Sequence, residues 1–479
     1  MGHDPLFDVL LFLGWLWLSM LVYWVCRQGR PAASQMTPTP ARPIKTRVKA
    51  PTPFPGLMHK PLCDACEHAA DSRPQPPCAP PPLLRCTRGR WRTVDTQQQF
   101  CPDPDCTYYG WAGRGNIRAN GHPGSKSWRQ LQCVSCHGYF QETHGTPFHR
   151  TRVPPEMLGW AVGALAEGLG IRAVARVFEV DPNTVLAWLV EVAAHLQAFS
   201  QSFLHEVHVN QVQLDELFAL LSAVKDAEVT EAEAIHRLSR SPHWVWVAMD
   251  PESKLLLTID AGERTLAMAQ CVVHQVTQVI APDCAPLFLT DGFKEYITAL
   301  LTHFGQWVQP PRRQAHGPAP KPRWIPLPEL LYAQVVKQYR RRRLVGMHHR
   351  VVFGTLDRVK QVLVACGWQI NTAFIERLNL DLRQHVAAVG RRVNTVCKHE
   401  AGLRQQWALF HAYHNFCLPH ASLRIPLPQP EATKGSGSAK KWRPSAPAMA
   451  AGLTDHVWRL REVLLCRVPP WPQPTGMCE

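Results

Sequence analysis

The stretch Val-Gln-Leu-Asp-Glu-Leu-Phe-Ala-Leu-Leu, residues 212–221, decides the fold, because it places Asp215 inside an apolar run typical of a buried strand. A carboxylate in such a run is costly unless it is paired or bound to a metal ion. Around this run, short apolar strands alternate with amphipathic helices across residues 207–425, which is the pattern of an α/β domain. Two strands, 244–249 and 255–260, flank the turn Asp-Pro-Glu-Ser and predict a hairpin.

Two further acidic residues stand in comparable settings. Asp291 ends the apolar run Leu-Phe-Leu-Thr-Asp-Gly, and Glu376 lies in a segment of helical spacing, residues 371–383. If the first and fourth strands of a mixed sheet are neighbours, Asp215 and Asp291 face each other at one edge, with Glu376 on a helix packed against the sheet. Two strand-borne aspartates and a helix-borne glutamate are what a two-metal phosphoryl-transfer site requires. In the alternative, Asp215 is only a strand-end carboxylate and Glu216 is the functional one.

The charge of the 479-residue chain favours a polyanionic partner. Its 52 Lys and Arg residues exceed its 37 Asp and Glu residues, which leaves a formal charge of +15. Nucleic acid is the usual partner of such a chain, although an ordinary basic soluble protein has the same balance. The length allows two or three domains.

Basic residues concentrate between Asp291 and Glu376. They are Arg312, Arg313, Lys321, Arg323 and the run Arg340, Arg341, Arg342 and Arg343. The run predicts contacts with the DNA backbone and strongly salt-dependent binding, and its alternative is a solvated strand end. Asn379 and Arg383 share a helix face with Glu376 and are further candidate DNA contacts.

Four of the 16 cysteines have the spacing of a zinc ribbon. Cys101 and Cys106 form one pair, Cys133 and Cys136 form the other, and 26 residues separate the pairs. Such knuckles supply four thiolates to a structural Zn²⁺, which stabilises a module too small for an adequate core. The alternative is four free or redox-active thiols.

A second, irregular set of cysteines precedes the first. It consists of Cys63, Cys66, Cys78 and Cys86. It is either another zinc site or a chance grouping. Because the cysteines cluster and no convincing secretory signal is present, metal binding is favoured over a disulfide framework.

Residues 154–199 are helical by periodicity and predict three helices, at 158–167, 171–178 and 182–196. Asp181 and Pro182 supply an N-cap and a first-turn proline for the third helix. A short helix, a tight turn and a helix that opens with Asn183 and Thr184 predict a DNA-reading helix-turn-helix. An ordinary three-helix bundle has the same apolar spacing.

Residues 9–26 form an almost wholly apolar run of 18 residues, just long enough to span a bilayer. It lacks the basic n-region and the cleavage site of a signal peptide. Arg and Lys residues follow it, so a real span leaves the body of the protein in the cytoplasm, tethered to the inner membrane. The rival explanation is a start codon assigned too far upstream of Met36 or Met58, which gives an untethered cytoplasmic protein.

The order of these features resembles bacterial insertion-sequence DDE transposases of the insertion-sequence-one type. The resemblance covers roughly residues 100–425. Behind the zinc ribbon and the helix-turn-helix, it is carried by Leu-Asp-Glu-Leu-Phe (214–218), Leu-Thr-Asp-Gly-Phe-Lys-Glu-Tyr (289–296) and Ile-Glu-Arg-Leu-Asn-Leu-Asp-Leu-Arg (375–383). The last motif, with Arg-Arg-Val-Asn-Thr (391–395) and Ala-Tyr-His-Asn-Phe (412–416) behind it, is the most specific.

The resemblance implies a ribonuclease-H-like domain in which Asp215, Asp291 and Glu376 form an Asp-Asp-Glu triad that binds two Mg²⁺ or Mn²⁺ ions. The implied activity is cleavage and transfer of DNA strands by a homo-oligomer acting on double-stranded element ends and target DNA. The alternatives are a catalytically inactive DNA-binding protein derived from a transposase and a membrane-tethered binding module. The chain departs from the family in its N-terminal apolar run, its first cysteine set and its Arg-rich insertion.

These inferences together predict a multidomain α/β chain. The expected segments are a hydrophobic segment with a Pro-rich linker (1–60), a Cys-rich zinc-ribbon region (61–150), a helix-turn-helix domain (151–203), a ribonuclease-H-like DDE catalytic domain (204–425) and a C-terminal tail (426–479). The sequence assigns the tail no task.

Overall fold

The four cysteines of the predicted zinc ribbon lie in a small module with a three-stranded antiparallel sheet. The computed structural model describes residues 94–121, 128–218, 244–312, 320–340, 343–390, 397, 399–433 and 437–470, which belong to one compact unit. The strands, in the order β1-β2-β3, are Ile117–Ala119, Gln130–Cys133 and Tyr139–Gln141. The buried side chains of Ile117, Leu131 and Phe140 pack with the cysteines, so the thiols are a large part of a small core.

Three helices follow where the periodicity predicts them. They are α1 (Pro155–Ala166), α2 (Ile171–Val177) and α3 (Pro182–Phe203). Asp181 caps α3 as expected, because its carboxylate accepts a bond of 2.7 Å from the N–H of Asn183. The predicted end of the third helix at residue 196 is too early, since Phe199 continues the buried stripe of Val192 and Leu196.

A mixed six-stranded sheet carries the candidate carboxylates. In chain order, the strands are β4 (Gln211–Phe218), β5 (Trp244–Met249), β6 (Leu256–Gly262), β7 (Leu287–Thr290), β8 (Gly305–Val308), β9 (Arg323–Pro326), β10 (Leu331–Arg340) and β11 (Arg343–Phe353). Strands β8 and β9 form a separate two-stranded ribbon, and the other six form the sheet. The sheet order is β11-β10-β7-β4-β5-β6, with β4, β7 and β10 parallel. The predicted hairpin of β5 and β6 and the predicted contact of the first and fourth strands are both confirmed. This order is compatible with a ribonuclease-H-like fold.

Helices cover both faces of the sheet. They are α4 (Leu266–Val279), α5 (Glu295–His303), α6 (Leu356–Ala365), α7 (Ala373–His385) and α8 (Glu400–Ala412). One face packs in a single core with α4, α5 and α1 to α3. On the other face, α6 packs on β7 and β10, while α7 and α8 pack on β5 and β6. The face of α7, α6 and α8 is the one toward which Asp215 points.

Side chains at the end of α8 form hydrogen bonds with the backbone of strand β6. The side chain of Asn415, which is fully buried in the π-helical turn Tyr413–Cys417, accepts from the N–H of Leu256 at 2.9 Å and donates to its carbonyl at 2.8 Å. His411 also bonds that carbonyl, at 2.7 Å. The Ala-Tyr-His-Asn-Phe motif therefore has a structural task in this chain.

The C-terminal segment returns to the cysteine module. Its elements are the ribbon strands β12 (Ile425–Glu431) and β13 (Lys440–Arg443) and the helices α9 (Pro447–Ala450) and α10 (Leu460–Leu465). Beyond α10, Arg467 is only 6% exposed and donates to the carbonyls of Phe100 (3.0 Å) and His144 (2.9 Å). Its guanidinium also lies over the rings of Phe100 and Phe140. The C-terminal segment, for which the sequence predicts no function, thus anchors the cysteine module through Arg467.

Several predictions fall on residues that the structure does not describe. They concern the apolar run 9–26, the first cysteine set, Arg313, Arg341, Arg342 and the motif at 391–395. Across the described ranges, no helix combines the length and apolar character needed to cross a membrane. The domain boundaries stay predictions.

Candidate active site

Strands β4 and β7 bring Asp215 and Asp291 to the same end of the sheet. Their parallel register pairs Gln213 with Leu289, so the two aspartates, each two residues further on, stand side by side. Asp291 directly follows the last residue of β7, and the N–H of Phe293 donates to its carboxylate at 2.9 Å. The pair predicted from two apolar runs is therefore formed by neighbouring parallel strands.

A third carboxylate, Glu216, belongs to the same cluster. Each of the three residues places one carboxylate oxygen within 4.8 Å of those of the other two: Asp215, Glu216 and Asp291. The side chain of Glu216 is 1% exposed, and one of its oxygens accepts from Arg264 Nη2 at 2.9 Å. Sequence reasoning offered Glu216 only as a replacement for Asp215, whereas the structure brings both into one group.

The clustered carboxylates make ionisation unfavourable. Burial, together with the nearby carboxylate of Asp291, raises the pKa of Asp215 to about 6. Burial and the same neighbour raise the pKa of Glu216 to about 7, against the opposing effect of Arg264. A bound cation would offset this repulsion between like charges as protonation does, so the group can hold a cation.

Helix α7 is tied to β4 by two amide side chains. Gln213 is fully buried, donates to the carbonyl of Asn371 at 3.0 Å and accepts from the N–H of Ile375 at 3.1 Å, which fixes the first turn of α7. Asn379 donates to Asp215 Oδ2 at 2.7 Å. Predicted as a DNA contact, Asn379 is instead buried and orients the aspartate.

Glu376 lies in the first turn of α7, close enough to Asp215 to add to the rise in the pKa of that aspartate. Its carboxylate does not join the three-carboxylate group. It accepts from the hydroxyl of Thr372 at 3.1 Å and forms an ion pair with Lys337 of β10. The side chain of Glu376 is 49% exposed, so it stands at the open side of the site.

Two cationic side chains border the acidic group. Arg264 bridges Glu216 and Asp291, with Nη2 3.9 Å from Asp291 Oδ2, and its guanidinium lies over the ring of Phe293. On the other side, Lys337 pairs with Glu376. Neither cation was predicted, because each comes from an element distant in sequence from the carboxylate that it binds.

The donor set suits a hard divalent cation. All candidate ligand atoms are carboxylate oxygens, which Mg²⁺ and Mn²⁺ prefer, and sulphur or imidazole ligands are absent from the group. Asp215 lies within β4, whereas Asp291 after β7 and Glu376 on α7 are both partly exposed, so one side of the site is open. Such a site can hold cations and still admit a phosphodiester.

The four predicted zinc ligands are brought together in the cysteine module. Cys101 Sγ lies 3.6 Å from Cys136 Sγ, and Cys106 Sγ lies 3.8 Å from Cys133 Sγ. A tetrahedral Zn²⁺ about 2.3 Å from each sulphur requires separations of about 3.8 Å. Burial opposes ionisation of Cys133, but donation from the N–H groups of Cys136 and Ser135 lowers its pKa to about 7. The geometry fits a structural zinc site.

The remaining predicted DNA contacts vary in exposure. Asn183 is exposed and Thr184 half-buried at the start of α3, where the next exposed residues, Leu186, Ala187 and Val190, are apolar. Arg383 is half-buried on α7. Arg340 and Arg343 are exposed where β10 meets β11. Since β10 pairs with β7 only through residues 331–334, this hairpin extends past Asp291.

Comparisons with known proteins add little to this geometry. No protein-family model matches the chain, and no curated protein matches it in sequence. Among solved structures, a chain in the crystal structure of the Mos1 strand transfer complex is similar, with 13% sequence identity and a TM-score of 0.12. The match covers 30% of this chain and 53%, about half, of that chain. A TM-score this low does not establish a common fold.

Proposed function

We propose that the protein is a DNA transposase of the DDE type, with a ribonuclease-H-like catalytic domain. It would bind the ends of an insertion element and catalyse metal-dependent cleavage and transfer of DNA strands. The observation that carries the proposal is the pairing of Asp215 and Asp291 on neighbouring parallel strands, with Asn379 of the Glu376 helix bonded to Asp215. No comparison bears on the insertion-sequence-one subtype.

Five residues of the site have defined roles in this proposal. Asp215, Asp291 and Glu376 would hold two Mg²⁺ or Mn²⁺ ions. When bound, the ions would lower the pKa of a water molecule and stabilise charge on the attacking and leaving oxygens. Asn379 orients Asp215, and Gln213 holds the first turn of α7, on which Glu376 lies.

The other segments would bind and place the DNA. Structural Zn²⁺ on Cys101, Cys106, Cys133 and Cys136 would stabilise the module. The start of α3 and the basic hairpin of β10 and β11 would contact the DNA, the latter beside the acidic group.

We further propose a homo-oligomer that acts in the cytoplasm, either free or tethered to the inner membrane through residues 9–26. Deletion of residues 1–57 tests the tether.

The test is strand cleavage and joining on labelled DNA that carries the element's own ends, with Mg²⁺ or Mn²⁺. Asp215→Asn, Asp291→Asn and Glu376→Gln should each abolish both steps. Glu263→Gln, which changes an exposed carboxylate next to Arg264, is the matched control and should retain them.

Three other outcomes are informative. Specific binding without cleavage by the wild type would identify an inactive DNA-binding protein derived from a transposase. Cleavage that survives Glu376→Gln but is lost in Glu216→Gln would move the third ligand to Glu216. Cleavage that survives all of these changes would place the active site elsewhere.

A further inference from the structure

The ribbon of β8 and β9 presents two tryptophans to solvent. Trp307 is 58% exposed and Trp324 is 36% exposed. The two are direct cross-strand partners, and their ring centroids lie 5.5 Å apart. Tryptophan is a side chain whose large apolar surface is usually buried, so an exposed pair of this kind is a candidate contact surface.

The base of the ribbon is packed firmly against α5. A Cβ atom at Gly305 would lie 2.3 Å from the carbonyl oxygen of Leu301, so only glycine fits at this approach. Next to it, Phe304 packs on Phe288 of β7, and its carbonyl accepts from the N–H of Leu327 at 3.0 Å. The ribbon thus holds the tryptophan pair away from the core.

The charged residues near the pair in sequence are all basic. Between Glu295 and Glu329 the chain has no acidic residue. Arg323 is exposed one position from Trp324, and Arg312 and Lys321 are exposed at the outer end of the ribbon. A partner must therefore combine negative charge with flat apolar faces.

We propose that this ribbon binds unpaired DNA bases by stacking them on Trp307 and Trp324. Phosphates supply the negative charge and bases supply the flat faces, but in a duplex the base faces are hidden except where strands separate or end. Helix α5 leads from the Asp291 side to the ribbon and is about 14 Å long, which corresponds to roughly four base steps of DNA. The inference rests on the proposed function, because it takes DNA as the substrate.

The experiment compares two DNAs without divalent metal. One is a blunt duplex, and the other is the same duplex with a short single-stranded tail that contains 2-aminopurine. Wild-type protein should prefer the tailed DNA and quench the 2-aminopurine. Joint replacement Trp307→Leu and Trp324→Leu should weaken binding to the tailed DNA by about tenfold or more and change binding to the blunt duplex by less than about twofold.

Two controls separate stacking from folding. Replacement of both residues by Phe retains aromatic rings and should restore most of the preference, whereas Leu retains apolar bulk only. Trp160→Ala removes a tryptophan that is 65% exposed on α1 and should leave the preference unchanged.

Equal losses on both DNAs, or no loss on either, would overturn the proposal. A lower oligomeric mass of the Leu variant in the absence of DNA would also overturn it, because the pair would then be an interface between copies. Since no cleavage is measured, a protein that prefers the tail but never cuts DNA would refute the proposed catalysis and leave the stacking surface standing.

Discussion

The thiol cluster and the acidic cluster both gather ligand atoms of like charge, but in different surroundings. The four sulphurs come from one module, and three of the four cysteines are buried. The carboxylates come from β4, from the end of β7 and from α7, and Glu376 is half-exposed and paired with Lys337. One site is closed by its own segment, while the other is open and depends on elements far apart in the chain.

The difference separates two uses of a metal. A closed set of four ligands leaves no place for a substrate, so an ion held there would contribute to folding. An open set with an exposed member leaves room for a substrate, and its unbalanced charge is a cost to the folded state until cations bind. Loss of a ligand should therefore destabilise the cysteine module, whereas in metal-free protein loss of a carboxylate should stabilise the region of the acidic cluster.

The largest expected effect is on the cysteine module. Cys106→Ser, or a strong chelator, should remove one equivalent of zinc and unfold residues 94–150, because structural zinc sites contribute about 10–16 kcal/mol of apparent binding free energy. Zinc content and limited proteolysis measure the result. Cys271→Ser, which changes an exposed cysteine outside the cluster, is the control. If the wild-type module stays resistant to protease without zinc, its folding does not depend on the metal.

In metal-free protein, loss of a ligand from the acidic cluster should have the opposite effect on stability, and that effect should depend on pH. The folded pKa of Asp215, about 6, lies above its ordinary value of 3.8. Its contribution to stability is therefore complete below about pH 4 and is lost as the pH rises through 6. In metal-free protein, Asp215→Asn should raise the free energy of unfolding at pH 8 by on the order of 3 kcal/mol and leave it unchanged at pH 4.

Comparison of variant and wild type at each pH is necessary, because buried histidines act in the other direction. Burial lowers the pKa of His411 and of His414 to about 4, so their contribution is lost as the pH falls from about 6.5. Chemical denaturation of both proteins with and without Mg²⁺ gives the difference. An equal effect of Asp215→Asn at pH 4 and pH 8 would show that the pKa of Asp215 is not raised in the folded protein.

A smaller effect is expected from the link between α7 and β4. Gln213→Ala should lower the free energy of unfolding by about 1–3 kcal/mol, because it leaves the carbonyl of Asn371 and the N–H of Ile375 without their partner. It should also weaken Mn²⁺ binding by displacing Glu376. Gln309→Ala on the exposed ribbon end is the control. Unchanged Mn²⁺ affinity would mean that Glu376 is not a ligand.

The smallest expected effect concerns Lys337. Its pairing with Glu376 is partly exposed, and such pairs contribute about 0–1 kcal/mol. Lys337→Met should therefore tighten Mn²⁺ binding by at most about fivefold, because a competing cation is removed. Titration by electron paramagnetic resonance measures this change, with Lys294→Met on a largely exposed lysine as the control. Weaker binding in Lys337→Met would show that the lysine supports the site.

The sequence predicted the parts of the fold that depend on local pattern. Apolar runs located β4 with Asp215 and β7 with the Asp291 that follows it, and helical spacing located α7 with Glu376. The four-thiol spacing likewise predicted a group that the structure brings within bonding reach of one ion. Each of these features depends on a local pattern, although the two cysteine pairs lie 26 residues apart.

Contacts between residues that are distant in sequence cannot be predicted from such local patterns. The sequence does not reveal that Lys337 meets Glu376 or that Arg264 meets Glu216, since 39 and 48 residues separate the partners. The sequence predicts Asn379 as a DNA contact on the same helix face as Glu376, because helical periodicity does not tell which strand the helix covers. The length of α3 was missed for the same reason, since its last turns are stabilised by Phe416 and Trp458.

The buried position of Arg467 has a consequence for the order of events during synthesis. Arg467 follows His144 by 323 residues, yet it donates to the carbonyl of that residue and to that of Phe100, next to the first cysteine pair. The cysteine module is among the first described parts to leave the ribosome, but its last contacts arrive only after the whole central sheet has been made. A product truncated before residue 467 would therefore carry an early module that lacks its late anchor.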